Sequence, residues 1–411
     1  MAAASEITSD TPSLTDVDVC VVGAGPVGAA LACRLARAGI KVAIVDRMAL
    51  EPMEHPDFDG RAYAIAAGPR QLLEDAGVWE YLPLESCPIE EILVTDGRPG
   101  EPASSLFVEF TRQDASQPFG WMAEARGLRV ALNKAMHHQA NLTVLAPAEV
   151  KVERQADTAV IRLHDGRSFK ASLVVAADGR KSRLRNEAGI PLTRLAYKQT
   201  AIVAAIAHEY PHDNAALEHF LPAGPFAQLP MAGTEEYPNL SAIVWSDKDG
   251  VAERFAALPD DQFAREIERR MGNSRLGKVT PVGRRWTYPL SAQYAQRYTA
   301  TRLLLIGDAA HGIHPIAGQG LNLGFRDVIA LSDILIKAHQ RGEDYGSPAL
   351  LARYQARCRP ANMMMLAATD VLDRLFSNNN PLLRLTRDLG LAGVNRIPAL
   401  RRAFVRHAMG V

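Results

Sequence analysis

Gly23, Gly25 and Gly28 stand in a G-x-G-x-x-G spacing, Gly23-Ala-Gly25-Pro26-Val-Gly28, directly after the apolar run 17–22. In such a loop the first glycine allows a tight turn. The second lets a pyrophosphate approach the backbone, and the third lets a helix pack closely on a strand. A helix opening at Pro26 presents free N–H groups and a positive dipole end to a phosphate. Asp46 follows 23 residues after Gly23, at the end of a second apolar run, with Arg47 beside it. A carboxylate there can accept hydrogen bonds from both hydroxyls of a ribose. Strand, glycines, helix, second strand and acid together predict a dinucleotide site. The motif alone does not separate NAD from FAD.

Two further acid turns follow apolar runs. Asp178-Gly179-Arg-Lys-Ser182-Arg-Leu-Arg185 comes after 173–177, and Gly307-Asp308-Ala-Ala-His311 comes after 303–306. Taken singly, each reads equally well as a strand end with an Asp cap. Then comes His314-Pro315-Ile-Ala-Gly318-Gln319-Gly320-Leu321-Asn322-Leu323, at the start of a long helical pattern. A helix beginning near Gly318–Gly320 aims its amides at whatever lies before it and stabilises negative charge there. Gln319 and Asn322 fit polar contacts at that point and fit capping or solvent-facing roles as well. His311 and His314 likewise fit structural hydrogen bonding as well as a site role.

In this order, these segments resemble the signatures of the group A flavoprotein aromatic hydroxylases. The segment His314–Leu323 is similar to the flavin-facing loop of the ubiquinone-biosynthesis hydroxylases. So are Gln199-Thr-Ala-Ile-Val203, Phe220-Leu-Pro222-Ala-Gly-Pro225, Gly60-Arg61-Ala, Glu124-Ala-Arg126 and Ala408-Met-Gly410. The likeness runs from about residue 17 to the C-terminus. It departs at Ala125, where the family carries Asn, so no side-chain role is implied at that position.

The resemblance implies an FAD-dependent monooxygenase acting on the ring of a polyprenylated phenol in ubiquinone biosynthesis. It implies reduction of FAD by NAD(P)H or another electron donor, reaction with O2, and delivery of an electrophilic hydroxyl from a C4a-hydroperoxyflavin. Asp308 would hold the ribityl chain, and Asp178-Gly179 would lie near both FAD and the nicotinamide donor. Arg61 and Arg126 would contact the cofactor. His314, Pro315, Gly318, Gln319 and Gly320 are the flavin-facing candidates, but no side chain is assigned as an acid or base. Related FAD halogenases and isoprenoid reductases share these signatures. The halogenase W-x-W-x-I-P motif is absent, the tryptophans being at 79, 121, 245 and 286. A flavin-bearing scaffold with little turnover is the alternative outside enzymes.

The elements that must position these residues can be read coarsely. The repeated pairing of buried strand and helix predicts an α/β fold, with an FAD-binding Rossmann-like domain interrupted in sequence. That domain takes residues 1–75, 119–188 and 286–345. A mostly antiparallel substrate domain takes 76–118 and 189–285, and 346–411 form a helical C-terminal tail. Within this division, 60–80 read as a loop and a helix and 88–118 as antiparallel strands. Residues 123–139 read as a helix, 150–169 as a hairpin-like region, 260–271 as a helix, and 318–338 as a long helix ending near Gly342.

The composition suits an ordinary globular chain. It has 411 residues, 47% apolar and 22% charged, which at roughly 100–200 residues per domain allows about two to four domains. Lys plus Arg and Asp plus Glu are both 46, a zero net charge that argues against a nucleic-acid coat. Four cysteines, at 20, 33, 87 and 358, form no C-x-x-C pair and fit no zinc spacing, so no metal is expected. Buried thiols in a reducing compartment are the expectation. Residues 1–16 have no basic segment followed by an apolar one, and there is no apolar run of about 18 residues. A cytoplasmic protein, peripheral on the inner membrane, is expected. Residues 374–411 carry seven Arg and one acid, Asp388. Leu400, Ala403, Phe404 and Ala408 share one helical face there. That stretch suits an anionic membrane or other ubiquinone-biosynthesis proteins, or equally a plain helix packed on the body.

Overall fold

The computed structural model describes residues 14–55, 61–82, 86–104, 107–272, 275–313 and 319–376. Three sheets organise them. The first is built around β1 (Val17–Val22), β2 (Val42–Val45), β8 (Leu142–Leu145), β11 (Ser168–Ala176) and β18 (Leu303–Leu305). These pair in parallel, in the order β18-β11-β1-β2-β8. Their near-continuous Val, Leu and Ile reflect burial on both faces. The helices α1 (Pro26–Arg37), α3 (Ala125–His137) and α7 (Gln319–Arg341) join them in one core. Antiparallel β9 (Val150–Arg154) and β10 (Ala159–Leu163) extend the sheet beside β11, and β17 (Thr299–Ala300) edges β18. The turn at 163–168 between β10 and β11 is the hairpin read from the sequence. Gly39 (φ +90°) and Gly342 (φ +64°) end α1 and α7 in the left-handed conformation that glycine adopts freely.

The second sheet runs β19-β16-β12-β15-β14-β13-β5-β6. Its strands are β5 (Glu91–Asp96), β6 (Val108–Phe110), β12 (Leu192–His208), β13 (Ala215–Leu221), β14 (Gly224–Met231), β15 (Leu240–Lys248), β16 (Val279–Ala295) and β19 (His311–Gly312). Alternation puts opposite sets on its two faces. Ile202, Phe226, Trp245 and Leu221 pack on the outer helices α5 (Val251–Ala256) and α6 (Asp260–Arg270). Ala216, Met231, Leu240 and Ala242 pack on the inner side. There they meet a third, three-stranded sheet of β3 (Ala62–Ala66), β7 (Gly120–Glu124) and β4 (Cys87–Ile89).

Some elements differ from the sequence reading. Residues 62–66 are a strand, fixed by antiparallel pairing with β7, and only 67–75 are helical (α2, Ala67–Asp75). The helix read from Ala123 begins at Ala125, because 120–124 are taken into that same sheet. β5 pairs with β13 in parallel rather than antiparallel, bringing Val94 beside Glu218. α4 (Arg183–Glu187) is one short turn of helix after β11, and α8 (Pro348–Phe376) is the last described element. The basic stretch beyond it lies outside the described residues.

Candidate functional site

The C-terminal ends of β1, β11 and β18 lie side by side, because these strands are parallel neighbours. This is the edge at which open α/β sheets bind ligands. The glycine loop follows β1. Gly23 has φ +109°, and a Cβ there would sit 2.3 Å from the Ala177 carbonyl oxygen. A Cβ on Gly28 would sit 2.0 Å from the Gly23 carbonyl oxygen. Both glycines are demanded by the protein itself. Gly25 is not: its φ is −61° and no protein atom lies within 4 Å of the position of a Cβ. It caps α1 with no side-chain hydrogen bond, and Pro26 follows. The first α1 amides are therefore left for a ligand.

Asp46 fixes this loop from β2. One carboxylate oxygen accepts the Ala24 N–H at 2.7 Å, and the other accepts the Met48 N–H at 2.9 Å. Arg129 supports it from α3, its buried guanidinium donating to the Ala24 carbonyl. Arg129 was not singled out in the sequence. Arg47 is exposed and lines a small pocket of about 240 Å³ with Ala148, Glu149 and His164.

The two acid turns form one construction. Asp178 Oδ2 accepts the Arg183 N–H at 2.9 Å and the Leu184 N–H at 3.3 Å, capping α4. Its Oδ1 is buried without a hydrogen-bond partner among the described residues. Gly179 has φ +79°. After β18, Gly307 (φ +55°) turns the chain where a Cβ would meet the Val27 side chain of α1 at 3.3 Å, and Asp308 is exposed. Buried Gln293 joins the turns, donating to the Arg180 carbonyl at 3.1 Å and the Asp308 carbonyl at 3.0 Å. Buried Arg185 adds bonds to the Ala309 and Arg180 carbonyls. Arg185 closes the segment singled out in the sequence, whereas Gln293 carried no signal of its own, since its role depends on backbone contributed by other segments.

α7 closes the site from the other side. Gly320 is exposed in its first turn, and a Cβ there would meet no protein atom within 4 Å. Gln319 and Leu321 flank it half-buried. Asn322 is buried, and its amide is spent on β3: Oδ1 accepts the Ala66 N–H at 3.0 Å and Nδ2 donates to the Ala64 carbonyl at 2.7 Å. The cofactor contact read for this side chain is thus replaced by a fastening of α7 to β3. Arg61 stands at the start of β3, its guanidinium 5.5 Å from the ring centres of Tyr63 and Tyr288. Arg126 is exposed on α3 and donates to the Glu54 carbonyl at 2.8 Å. His314, Pro315 and Gly318 lie outside the described residues.

Behind α7's first turns, buried Asp327 gathers three elements. It accepts the Gly307 N–H at 2.9 Å and the Asn362 amide of α8 at 2.9 Å, and it lies 2.5 Å from His311 Nε2. Burial alone would pull the His311 imidazole down; the Asp327 carboxylate outweighs it and holds this group above its ordinary value, with Asp308 adding to the effect. His311 is thereby a structural histidine. The cysteines offer no nucleophile: burial pushes Cys20 and Cys33 up to about 12. Among the described residues no group of acids, histidines and cysteines could hold a metal.

An FAD fits these residues on the structure's own terms. The open spaces at Gly25 and Gly320, the uncapped α1 amides and the unpartnered Asp178 oxygen all border the strand ends. Residues 16–369 match the FAD binding domain family. The fold is similar to p-nitrophenol 4-monooxygenase PnpA from Pseudomonas putida, with a TM-score of 0.75 at 17% identity over 96% of this chain and 98% of that one. Among sequence relatives, 3-demethoxyubiquinol 3-hydroxylase of Escherichia coli is 33% identical, covering 96% of this chain and 98% of its own. Ubiquinone hydroxylase UbiL of Rhodospirillum rubrum is 46% identical over 394 residues, 96% of this chain and 89% of that one. Identity of this extent, with the FAD-binding match spanning both sheets, makes the chain a member of the ubiquinone-biosynthesis flavin hydroxylases, a family of FAD-dependent monooxygenases.

Proposed function

We propose that this protein hydroxylates the aromatic ring of a polyprenylated phenol in ubiquinone biosynthesis. The observation that carries the reading is the open cradle at Gly25 and Gly320. These are two glycines that no protein contact requires, one at the N-cap of α1 and one in the first turn of α7. The chemistry that FAD supplies when bound is transfer of electrons from NAD(P)H or another donor to O2 and insertion of one oxygen atom into the ring. The chain's own part is positional and electrostatic. The α1 amides hold the pyrophosphate, Asp46 the ribose end, and Asp308 the ribityl chain. The α7 N-terminus stabilises negative charge on the reduced ring. The inner sheet face packs Ala205, Ala216, Ala242, Leu229 and Met231 with Trp121 and Met122 in one apolar cluster. In this reading the FAD-binding domain is assembled from 1–75, 119–188 and 286–345, and the substrate domain from 76–118 and 189–285. Purified protein given FAD, NADH, O2 and a short-chain prenylated phenol should yield a product heavier by one oxygen atom. Deletion of the gene in its host should accumulate the unhydroxylated precursor by mass spectrometry. NADH consumption without product, and no precursor in the deletion strain, would overturn the reading.

Asp46→Ala should weaken FAD markedly. The loop loses its anchor at Ala24 and Met48, and hydrogen bonds to a charged acceptor are worth about 1.5–3 kcal/mol each. Fluorescence titration of FAD measures this; wild-type affinity in the variant would remove Asp46 from the cofactor site.

A polyprenylated substrate resides in a membrane, and no helix among the described residues is long and apolar enough to cross one. We infer, from the membrane-resident substrate and the seven arginines of residues 374–411, that the protein works peripherally on the inner membrane from the cytoplasm or docks to other ubiquinone-biosynthesis proteins through this basic segment. Neutralising Arg401, Arg402 and Arg406 together should weaken co-sedimentation with anionic liposomes, at about 1 kcal/mol per residue. The difference should shrink at high salt, and FAD should stay bound. Unchanged liposome binding and unchanged pull-down of pathway proteins would remove that segment from membrane and partner docking.

A further inference from the structure

The exposed side of α8 changes character halfway along the helix. In the first half it carries Arg353 and Arg357, which pair with Glu343 at 2.7 Å and Asp333 at 3.6 Å. From residue 361 on, every exposed position whose side chain is described is apolar: Ala361, Met364, Ala367, Ala368 and Val371. Spacings of three, four and seven put these on one side of a helix. Met364 is 63% exposed and Val371 61%, the two most exposed large hydrophobic side chains among the described residues. The polar residues of this half turn inward. Asn362 and Thr369 are buried, Asn362 is held by Asp327 of α7, and Asp370 is half-buried. Contiguous exposed apolar surface of this kind marks a contact with a membrane or another protein.

The opposite side of the same stretch packs beside the flavin-facing elements. Met365 and Leu366 share one buried cluster with Ile313 and Leu323. Ile313 is the last described residue before the segment 314–318, and Leu323 stands about a turn beyond Gly320 in α7. α8 is thus a single layer between that cluster and the exterior, about 10–12 Å thick with its side chains. No helix among the described residues is long and apolar enough to cross a membrane. A helix with one side anchored in the protein and an apolar strip on the other suits the plane of a lipid interface instead. Residues 374–411 follow directly with seven Arg and one acid, Arg374 standing three residues beyond Val371. An apolar strip beside a cationic segment complements an anionic bilayer, which offers acyl chains and negative headgroups together. A protein partner would have to present both features on one patch; such a bilayer presents them everywhere.

We propose that the exposed face of α8 from Ala361 to Val371 is the surface by which the protein docks on an anionic lipid bilayer. This rests on the reading of a polyprenylated substrate and deepens it. The basic segment supplies attraction without orientation, because charge acts over a Debye length of about 8–10 Å in any direction. The α8 face supplies the orientation. With Met364 and Val371 set among the acyl chains, the cluster of Ile313 and Leu323 lies one helix thickness from the lipid. A phenol can then present its ring to the protein while its isoprenoid chain stays in the bilayer, where apolar surface is favoured.

The test uses the full chain loaded with FAD and vesicles of phosphatidylcholine and phosphatidylglycerol in equal parts. All four native cysteines are buried. Met364→Cys, Val371→Cys and, on the charged half of the helix, Ala352→Cys therefore each take a polarity-sensitive fluorophore selectively. Vesicles should shift the emission of the first two labels to the blue and open them to a quencher carried on the acyl chains. The label at 352 should stay in water. Met364→Glu combined with Val371→Glu should lower partition onto the vesicles by about tenfold or more. That loss should persist at high salt, unlike the loss from neutralising the tail arginines. Turnover on a long-chain phenol carried in the vesicles, relative to a dimethylallyl phenol in solution, should fall by a similar factor. Labels at 364 and 371 that ignore the vesicles would overturn the proposal. So would labels already shielded before vesicles are added, which would make the protein's own tail the cover, or labels that respond only to another pathway protein. None of these outcomes touches the hydroxylase reading. That reading fails instead if the short-chain phenol is not hydroxylated in solution, and the labels report docking in either case.

Discussion

Gly28→Ala is expected to emerge without flavin and destabilised by about 4 kcal/mol or more, at the upper end of single-substitution effects. The added Cβ would lie 2.0 Å from the Gly23 carbonyl oxygen and 3.0 Å from the Ala177 Cβ. Both obstacles belong to the strand–turn–helix frame and neither is the tip of a flexible side chain. Relief requires α1 to lift from β1 and β11, and that movement takes the α1 amides away from the strand ends. Gly320→Val provides the contrast. Its side chain would meet no protein atom, so the apoprotein should keep its unfolding midpoint within the ±0.5 kcal/mol typical of surface changes. The bound cofactor is what the valine would crowd, so FAD affinity should fall at least tenfold, or the flavin spectrum and reoxidation should change. Urea unfolding of both apoproteins and FAD titration of both measure the pair of effects. A Gly320→Val protein with unchanged FAD affinity, spectrum and hydroxylation would show that α7's first turn does not face the flavin.

The βαβ unit, the glycine loop and the acid after β2 were legible because each signal is local. Gly23, Gly28 and Asp46 lie within one supersecondary unit, and their constraints are visible in a window of about thirty residues. The two acid turns were legible in position and not in construction. Gln293, which binds those turns together, acts on backbone from distant segments and looks in sequence like any polar residue, and the reach of Arg185 to the Ala309 carbonyl was equally hidden although its segment was read. Asn322 shows distant partners that its own segment does not announce. Its place in a flavin-facing segment suggested a ligand, yet its partners are Ala64 and Ala66, some 256–258 residues earlier. Those partners belong to the one strand the pattern concealed: the Ala-rich segment 62–66 has little strand propensity of its own and is held by pairing with β7.

Asp327→Asn should destabilise the protein by about 3–5 kcal/mol and reverse the sign of part of its pH dependence. The estimate is that for breaking a buried ion pair by removing one partner. Asp327 holds the Gly307 N–H, His311 and the α8 residue Asn362 at once, so its charge ties the β18 turn, β19 and both long C-terminal helices together. In wild type the His311 imidazole is held above its ordinary value, with burial opposing and the Asp327 charge prevailing. A raised folded value means stability contributed by the charged pair is fully present below the unfolded value of about 6.5 and is lost as pH climbs through the folded one. With asparagine in place, the opposing anion is gone and burial governs. His311 then stays neutral in the folded state and must give up that burial to accept a proton. The variant should therefore lose stability as pH falls below about 6.5, where wild type gains it. Urea unfolding of both proteins at pH 5.5 and pH 8.5 resolves the difference, and parallel slopes would sink the pairing. Because the Gly307 N–H then meets at best a neutral amide oxygen in place of a carboxylate, FAD affinity should weaken at both pH values. A variant that keeps full affinity would show that the turn before Asp308 holds its shape without this carboxylate, and that the buried cluster serves only to dock α7 on α8.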